Sequence, residues 1–144
     1  MAAAPSTSLV LSLSFLVLFS TICVNVEALS ARASVNITNI LESHQQLTVH
    51  CKSKDDDLGF HQLPPLISYA FDFRPNVWIS TLFFCSFQWP GSFHYFEIYN
   101  QKRDEDLCTL CLWIVGEKGL CLYNSKTLKY DICYTWPSQR ILKN

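Results

Sequence analysis

Apolar and polar positions follow two different patterns along this chain. From Leu9 to Val24 the segment LVLSLSFLVLFSTICV is apolar with no period, and no charged side chain precedes Glu27. Beyond it the two kinds of residue alternate, as in strands that bury one face. Ser34-Val35-Asn36-Ile37-Thr38 puts Val35 and Ile37 on one side. Leu47 to Lys52 turns Leu47, Val49 and Cys51 inward and leaves Thr48, His50 and Lys52 to water. Ser53 to Gly59 (SKDDDLG) is a break rich in turn formers, and Pro64-Pro65 forbids regular pairing. Alternation resumes over Tyr69–Phe73 and is strongest over Thr81–Trp89, where Phe83, Cys85, Phe87 and Trp89 share a face. Leu82 and Phe84 make the other face apolar as well, which marks a central strand. Pro90-Gly91 turns the chain into Phe93–Tyr99. A charged loop (Gln101–Asp106), a strand over Cys108–Val115 and a last hairpin of Leu120–Asn124 with Lys129–Trp136 complete the pass. About eight short strands, with turn signals roughly every 8–12 residues and no helical period, predict an all-β protein. The architecture expected is a small antiparallel β-sandwich stabilised by disulfides.

The aperiodic start is too short to cross a bilayer comfortably, which takes about 20 apolar residues. Val26-Glu27-Ala28 places small side chains three and one residues before a cut, and Ala31-Arg32-Ala33 offers a second position. MAAAPSTS holds no Lys or Arg, so the amino terminus alone supplies the positive charge of this region. Residues 1–28 therefore read as a signal peptide and 29–144 as one secreted, extracellular domain without stable membrane insertion. Losing Glu27 leaves eleven basic and eleven acidic residues, a neutral balance that argues against nucleic acid as a partner.

Cleavage also changes the cysteine count. Of seven, Cys23 departs with the leader, leaving Cys51, Cys85, Cys108, Cys111, Cys121 and Cys133. Six in a short exported domain read as a disulfide framework, with about 15 conceivable pairings. On a strand, residues three apart point to opposite faces, so Cys108 and Cys111 are expected to take different partners. Cys121 and Cys133 lie symmetrically about Thr127 and are expected to face each other across the last hairpin.

Candidate chemistry is sparse. Cys-x-x-Cys supplies half of a zinc site, and redox use of that motif calls for a helix start that nothing here predicts. Asp55-Asp56-Asp57 lacks the alternating oxygens and closing Glu of a calcium loop and reads as a solvated turn whose Asp side chains accept nearby backbone N–H groups. His50 and His94 fall on predicted strands and His44 and His61 in loops, and no G-x-S-x-G, HExxH or P-loop is present. The reading is no catalytic residue, no metal and no cofactor. Asn36-Ile37-Thr38 is an N-glycosylation acceptor, with Asn36 expected on the exposed face of its strand.

Four segments carry a resemblance. They are Val49 to Gly59 (VHCKSKDDDLG), Phe83 to Trp89 (FFCSFQW), Phe96-x-x-Tyr99 before the charged loop, and Cys108-x-x-Cys111-x-Trp113. Together, over roughly Val35 to Cys121 and behind a signal peptide, they resemble the plant self-incompatibility S1 family, the S-protein homologues. The resemblance implies a small secreted β-sandwich without catalytic activity. Founding members of that family are stigma proteins that act as ligands on incompatible pollen. It also implies four core cysteines, so Cys121 and Cys133 read as an additional bridge. The expected function is a monomeric recognition ligand that presents loops to a cell-surface receptor or other extracellular protein. Recognition in a rigid sandwich tends to sit in loops. The expected contact surface is therefore the Asp55–Asp57 turn together with Arg103, Asp104, Glu105 and Asp106. The alternative is a secreted defence protein that binds a glycan or inhibits a hydrolase; an exposed aromatic platform would favour the glycan binder.

Overall fold

Nine strands and one helical turn account for the order of the domain in the computed structural model, which describes residues 31–136. The expected signal peptide lies outside the described residues. The strands are β1 (Ala33–Asn39), β2 (Leu47–Lys52), β3 (Asp57–Leu63), β4 (Ser68–Phe73), β5 (Leu82–Trp89), β6 (Ser92–Asn100), β7 (Leu110–Gly116), β8 (Gly119–Asn124) and β9 (Lys129–Thr135). Helix α1 spans Gln101–Asp104. One sheet has the order β4-β1-β7-β8-β9 and the other β3-β2-β5-β6. Alternation dictates the packing: Val35, Ile37, Trp113, Val115 and Leu122 of the first sheet meet Leu47, Val49, Phe83 and Phe87 of the second in a dry core.

Four features depart from the sequence reading. The five-stranded sheet is mixed, because β1 pairs antiparallel with β4 and parallel with β7. A parallel pair needs a long crossover, and here residues 40–109 supply it by building the whole second sheet on the way. The expected break after Lys52 is shorter than predicted and hides an edge strand, β3. It eluded the period-two test because only Leu63 is buried, Phe60 is 71% exposed, and Gly59 takes φ 75° where the register shifts. His61 consequently lies on a strand, its ring stacked 3.6 Å from that of Tyr69.

The pairing of Cys108 and Cys111 is the third departure. They are bonded to each other. Cys108 precedes β7 and closes the turn after α1, its N–H donating to the carbonyl of Asp104 at 3.0 Å, so strand alternation does not govern its direction. Cys51 and Cys85 sit opposite one another on β2 and β5 and are bonded. Cys121 and Cys133 do the same across the β8–β9 hairpin.

The charged run is not the solvated loop its composition implied. Asn100 caps α1 by accepting the Lys102 N–H, and the single turn folds Asp104 completely out of solvent. The Asp104 carboxylate accepts from Arg103 Nε at 2.6 Å, from an Arg103 terminal nitrogen at 2.7 Å and from the Asn100 N–H at 2.9 Å. Arg103 also donates to the Glu97 carbonyl, and its guanidinium lies 5.2–5.5 Å from the ring centres of Phe96, Trp113 and Tyr134. Burial alone would lower the Arg103 pKa, but the hydrogen bonds and charge of Asp104 outweigh it and raise the pKa instead.

At the opposite end a second carboxylate acts as a clamp. Glu117, in the β7–β8 turn, accepts the N–H groups of Glu42 and Ser43 at 2.9 Å each. Burial works against its ionised form, yet the Ser43 and Glu42 hydrogen bonds prevail and hold its pKa down at about 2.

Three outcomes follow. Asp104→Ala leaves Arg103 partly buried without its counter-charge and should cost about 3 kcal/mol, at the low end for a broken buried pair because Arg103 keeps a solvent fringe; denaturant unfolding measures it. Double Cys→Ser replacements should rank by the sequence separations of 34, 12 and 3. The chain-entropy account gives about 4 kcal/mol for Cys51–Cys85, 3 for Cys121–Cys133 and 2 for Cys108–Cys111, and equal losses in unfolding experiments would contradict it. Because the Glu117 pKa is depressed on folding, its contribution is complete above the ordinary value of 4.5 and is lost as pH falls towards 2. Protection of the Glu42 and Ser43 amides from hydrogen exchange, taken relative to the intrinsic rate at each pH, should fall through that window, and Glu117→Gln should abolish this fall.

Candidate functional site

Strand direction sorts the loops into two groups. Lys52 at the end of β2 lies opposite Phe84, and Asn100 at the end of β6 lies opposite Leu82. The β2–β3 turn, the β4–β5 loop and the α1 segment are thereby gathered at one end of the sandwich.

Each of these loops is built by its own polar side chains. In the turn, the Ser53 hydroxyl accepts the N–H groups of Asp55 and Asp56, so the expected roles are reversed there: Asp55 and Asp56 donate backbone groups and expose their carboxylates. Asp57 is different. Its carboxylate accepts from His50 Nε2 at 2.6 Å, Lys52 at 3.1 Å and the Gly59 N–H at 3.0 Å. The His50 hydrogen bond, then the Gly59 N–H and Lys52, hold it well below the ordinary carboxylate range. Asp57 thus fastens β3 to β2.

The β4–β5 loop carries a feature that sequence reading missed. Asn76 accepts the N–H groups of Trp78 and Ile79, and its own N–H donates to the Thr81 hydroxyl at 2.7 Å. The Thr81 N–H in turn donates to the Gln101 side chain at the start of α1. This scaffold presents Val77, Trp78 and Ile79 to solvent, with Trp78 89% exposed. The available signal was three consecutive apolar residues between Pro75-Asn76 and Ser80, in a stretch without alternation. Between this loop and the turn lies a groove of about 540 Å³, its apolar wall formed by Phe73, Ile79 and Leu82 and its rim by Lys54, Asp55, Asp56, Asp72 and Arg74.

The candidate residues from the sequence therefore separate. Asp55, Asp56, Glu105 and Asp106 are exposed at this end. Asp104 is fully buried and Arg103 is turned inward over three rings, so neither offers the free surface charge expected of it. Asn36 sits half-buried on the outer face of the central strand β1, between Ala70 and Leu112, and accepts from the Thr38 hydroxyl.

The histidines do not converge. His50 faces outward, its ring 4.0 Å from that of the exposed Phe60. His94 lies on the other face of the same sheet, stacked 4.6 Å from Trp136 beside Trp89, and burial lowers its pKa.

Comparison with known proteins matches residues 34–136 to the family model described as plant self-incompatibility protein S1. The chain is 45% identical to S-protein homolog 5 of Arabidopsis thaliana over 102 residues, covering 71% of this chain and 76% of that protein. It is 40% identical to S-protein homolog 2 of the same plant over 112 residues, covering 74% and 70%. With S-protein homolog 20 it shares 35% identity over 134 residues, covering 91% and 93%. Two sheets, three disulfides and a match over nearly every described residue make this chain a member of the plant self-incompatibility S1 family, the S-protein homologues.

Proposed function

We propose that the chain is a secreted, non-enzymatic recognition ligand that meets a cell-surface receptor, or another extracellular protein, with the end of the sandwich described above. The observation that carries this reading is Trp78, held almost fully exposed on a hydrogen-bonded loop. Tryptophan is costly to leave in water and is among the residues that most often anchor protein interfaces. Acidic side chains are exposed at the same end: Asp55 and Asp56 in the β2–β3 turn, Glu105 and Asp106 just after α1. They supply charge for partner choice and rate of encounter. Histidines on opposite faces of one sheet support a binding role over acid–base catalysis. Three disulfides suit an oxidising, extracellular setting. In this reading a glycan on Asn36 occupies the outer face of the five-stranded sheet and leaves the three loops clear.

Wall-free plant cells offer a direct test with the fluorescently labelled secreted domain. Saturable binding should weaken about tenfold or more with Trp78→Ala, and also with Asp55→Lys combined with Asp56→Lys. Absence of saturable binding, or binding indifferent to Trp78→Ala, would overturn the proposal.

A further inference from the structure

The other end of the four-stranded sheet has a different chemistry. Gln45 and Gln46 from the β1–β2 loop, Thr48 from β2, Gln88 from β5, and Ser92 and Phe93 from β6 line an open cleft of about 750 Å³. No charged residue lines it, in contrast to the groove beneath Trp78. Thr48 lies opposite Gln88, and Gln88 opposite Phe93, so amide, hydroxyl and ring stand in one row across three strands. Two residues further along the strands, His50, Ser86 and Tyr95 form the next row, with Phe60 at its edge. Tyr95 is 59% exposed, and its ring meets that of Phe93 at 82° with centres 4.9 Å apart. The two rings make a corner against which an apolar ligand face can rest.

We infer that this cleft and the adjoining outer face of the four-stranded sheet bind a neutral polysaccharide. A glutamine amide carries two N–H donors and a carbonyl acceptor, the complement of neighbouring sugar hydroxyls; Gln46 spends one N–H on Gln62 and keeps the other N–H and its carbonyl. A charged ligand would enter a lining with no counter-charge to offset its lost hydration. The exposed rings match the C–H faces of pyranose units, and the continuation of the surface from one row to the next suits a chain of sugars rather than a single one.

The site is also held in shape. Buried Asn39 donates from its side chain to the carbonyls of Gln45 and Leu63, both at 2.9 Å. Glu117 clamps Glu42 and Ser43 just before Gln45, and Gln46 donates to Gln62 at 3.1 Å. Groups fixed before the ligand arrives lose little freedom on binding.

Isothermal titration of the secreted, disulfide-bonded protein tests the inference. The probes are neutral hexasaccharides built from glucose, mannose, galactose or xylose, with hexagalacturonate as an acidic counterpart. At least one neutral probe should bind, with hexagalacturonate much weaker. Gln88→Ala and Tyr95→Ala should each weaken binding about tenfold or more, a loss of about 1.4 kcal/mol. Both residues are exposed, so an unchanged Tm should accompany the loss; Gln88→Glu, which keeps the shape and adds charge, should weaken binding likewise. Trp78→Ala should leave sugar binding intact, which separates this site from the proposed receptor-facing end. No heat from any neutral probe near roughly 1 mM, equal affinity for hexagalacturonate, or indifference to Gln88→Ala would each overturn the inference.

Discussion

The Arg103 guanidinium bridges rings of the two sheets near the loop-bearing end of this domain, beside the direct packing of Phe73 on Phe83 and Tyr99. None of the three disulfides does so: Cys51–Cys85 lies within one sheet, Cys121–Cys133 within the other, and Cys108–Cys111 ties β7 to the turn before it. Arg103, by contrast, lies over Phe96 of one sheet and over Trp113 and Tyr134 of the other. Its position depends on Asp104, whose buried carboxylate is satisfied by Arg103 and the Asn100 N–H together. Breaking such a pair strands a charge in a poor solvent, which makes its geometry strongly preferred.

The β4–β5 loop and α1 inherit their positions from that pair. Asn100 both caps α1 and donates to Asp104, and Gln101, the next residue, exchanges hydrogen bonds with Thr81 of the β4–β5 loop. Trp78 is therefore linked through Thr81 and Gln101 to the Arg103–Asp104 pair. On the other side, the Asp104 carbonyl accepts the Cys108 N–H and sets the turn that lets Cys108 reach Cys111.

The legible parts of the fold were those where one face is wet and the other dry. Leu47-Thr48-Val49-His50-Cys51-Lys52 could be oriented residue by residue, and burial follows that alternation. The Cys121–Cys133 bond was legible because hairpin symmetry places the two residues opposite each other. What stayed hidden depends on contacts distant in sequence or on short irregular segments. β3 is an edge strand with little burial, so its side chains carry almost no period. Gln-Lys-Arg-Asp reads as solvated because charged residues are rarely buried, and only the rings of Phe96, Trp113 and Tyr134, contributed by three separate strands, reveal why Asp104 is buried and Arg103 turned inward. Parallel pairing of β1 with β7 leaves no local trace, since it joins residues about 75 positions apart.

The two ends of the domain are consequently independent in a physical sense. The Trp78 end hangs from the Arg103–Asp104 pair, while the glutamine-lined end is organised by Asn39 and Glu117, and no residue belongs to both sets. Between them lies a core of close-packed aliphatic and aromatic side chains that neither set of loops must supply. Substitutions at one end should thus leave the other end's geometry in place, because effects of distant sites without shared partners tend to add. A small two-sheet domain built this way offers two surfaces that can be altered separately.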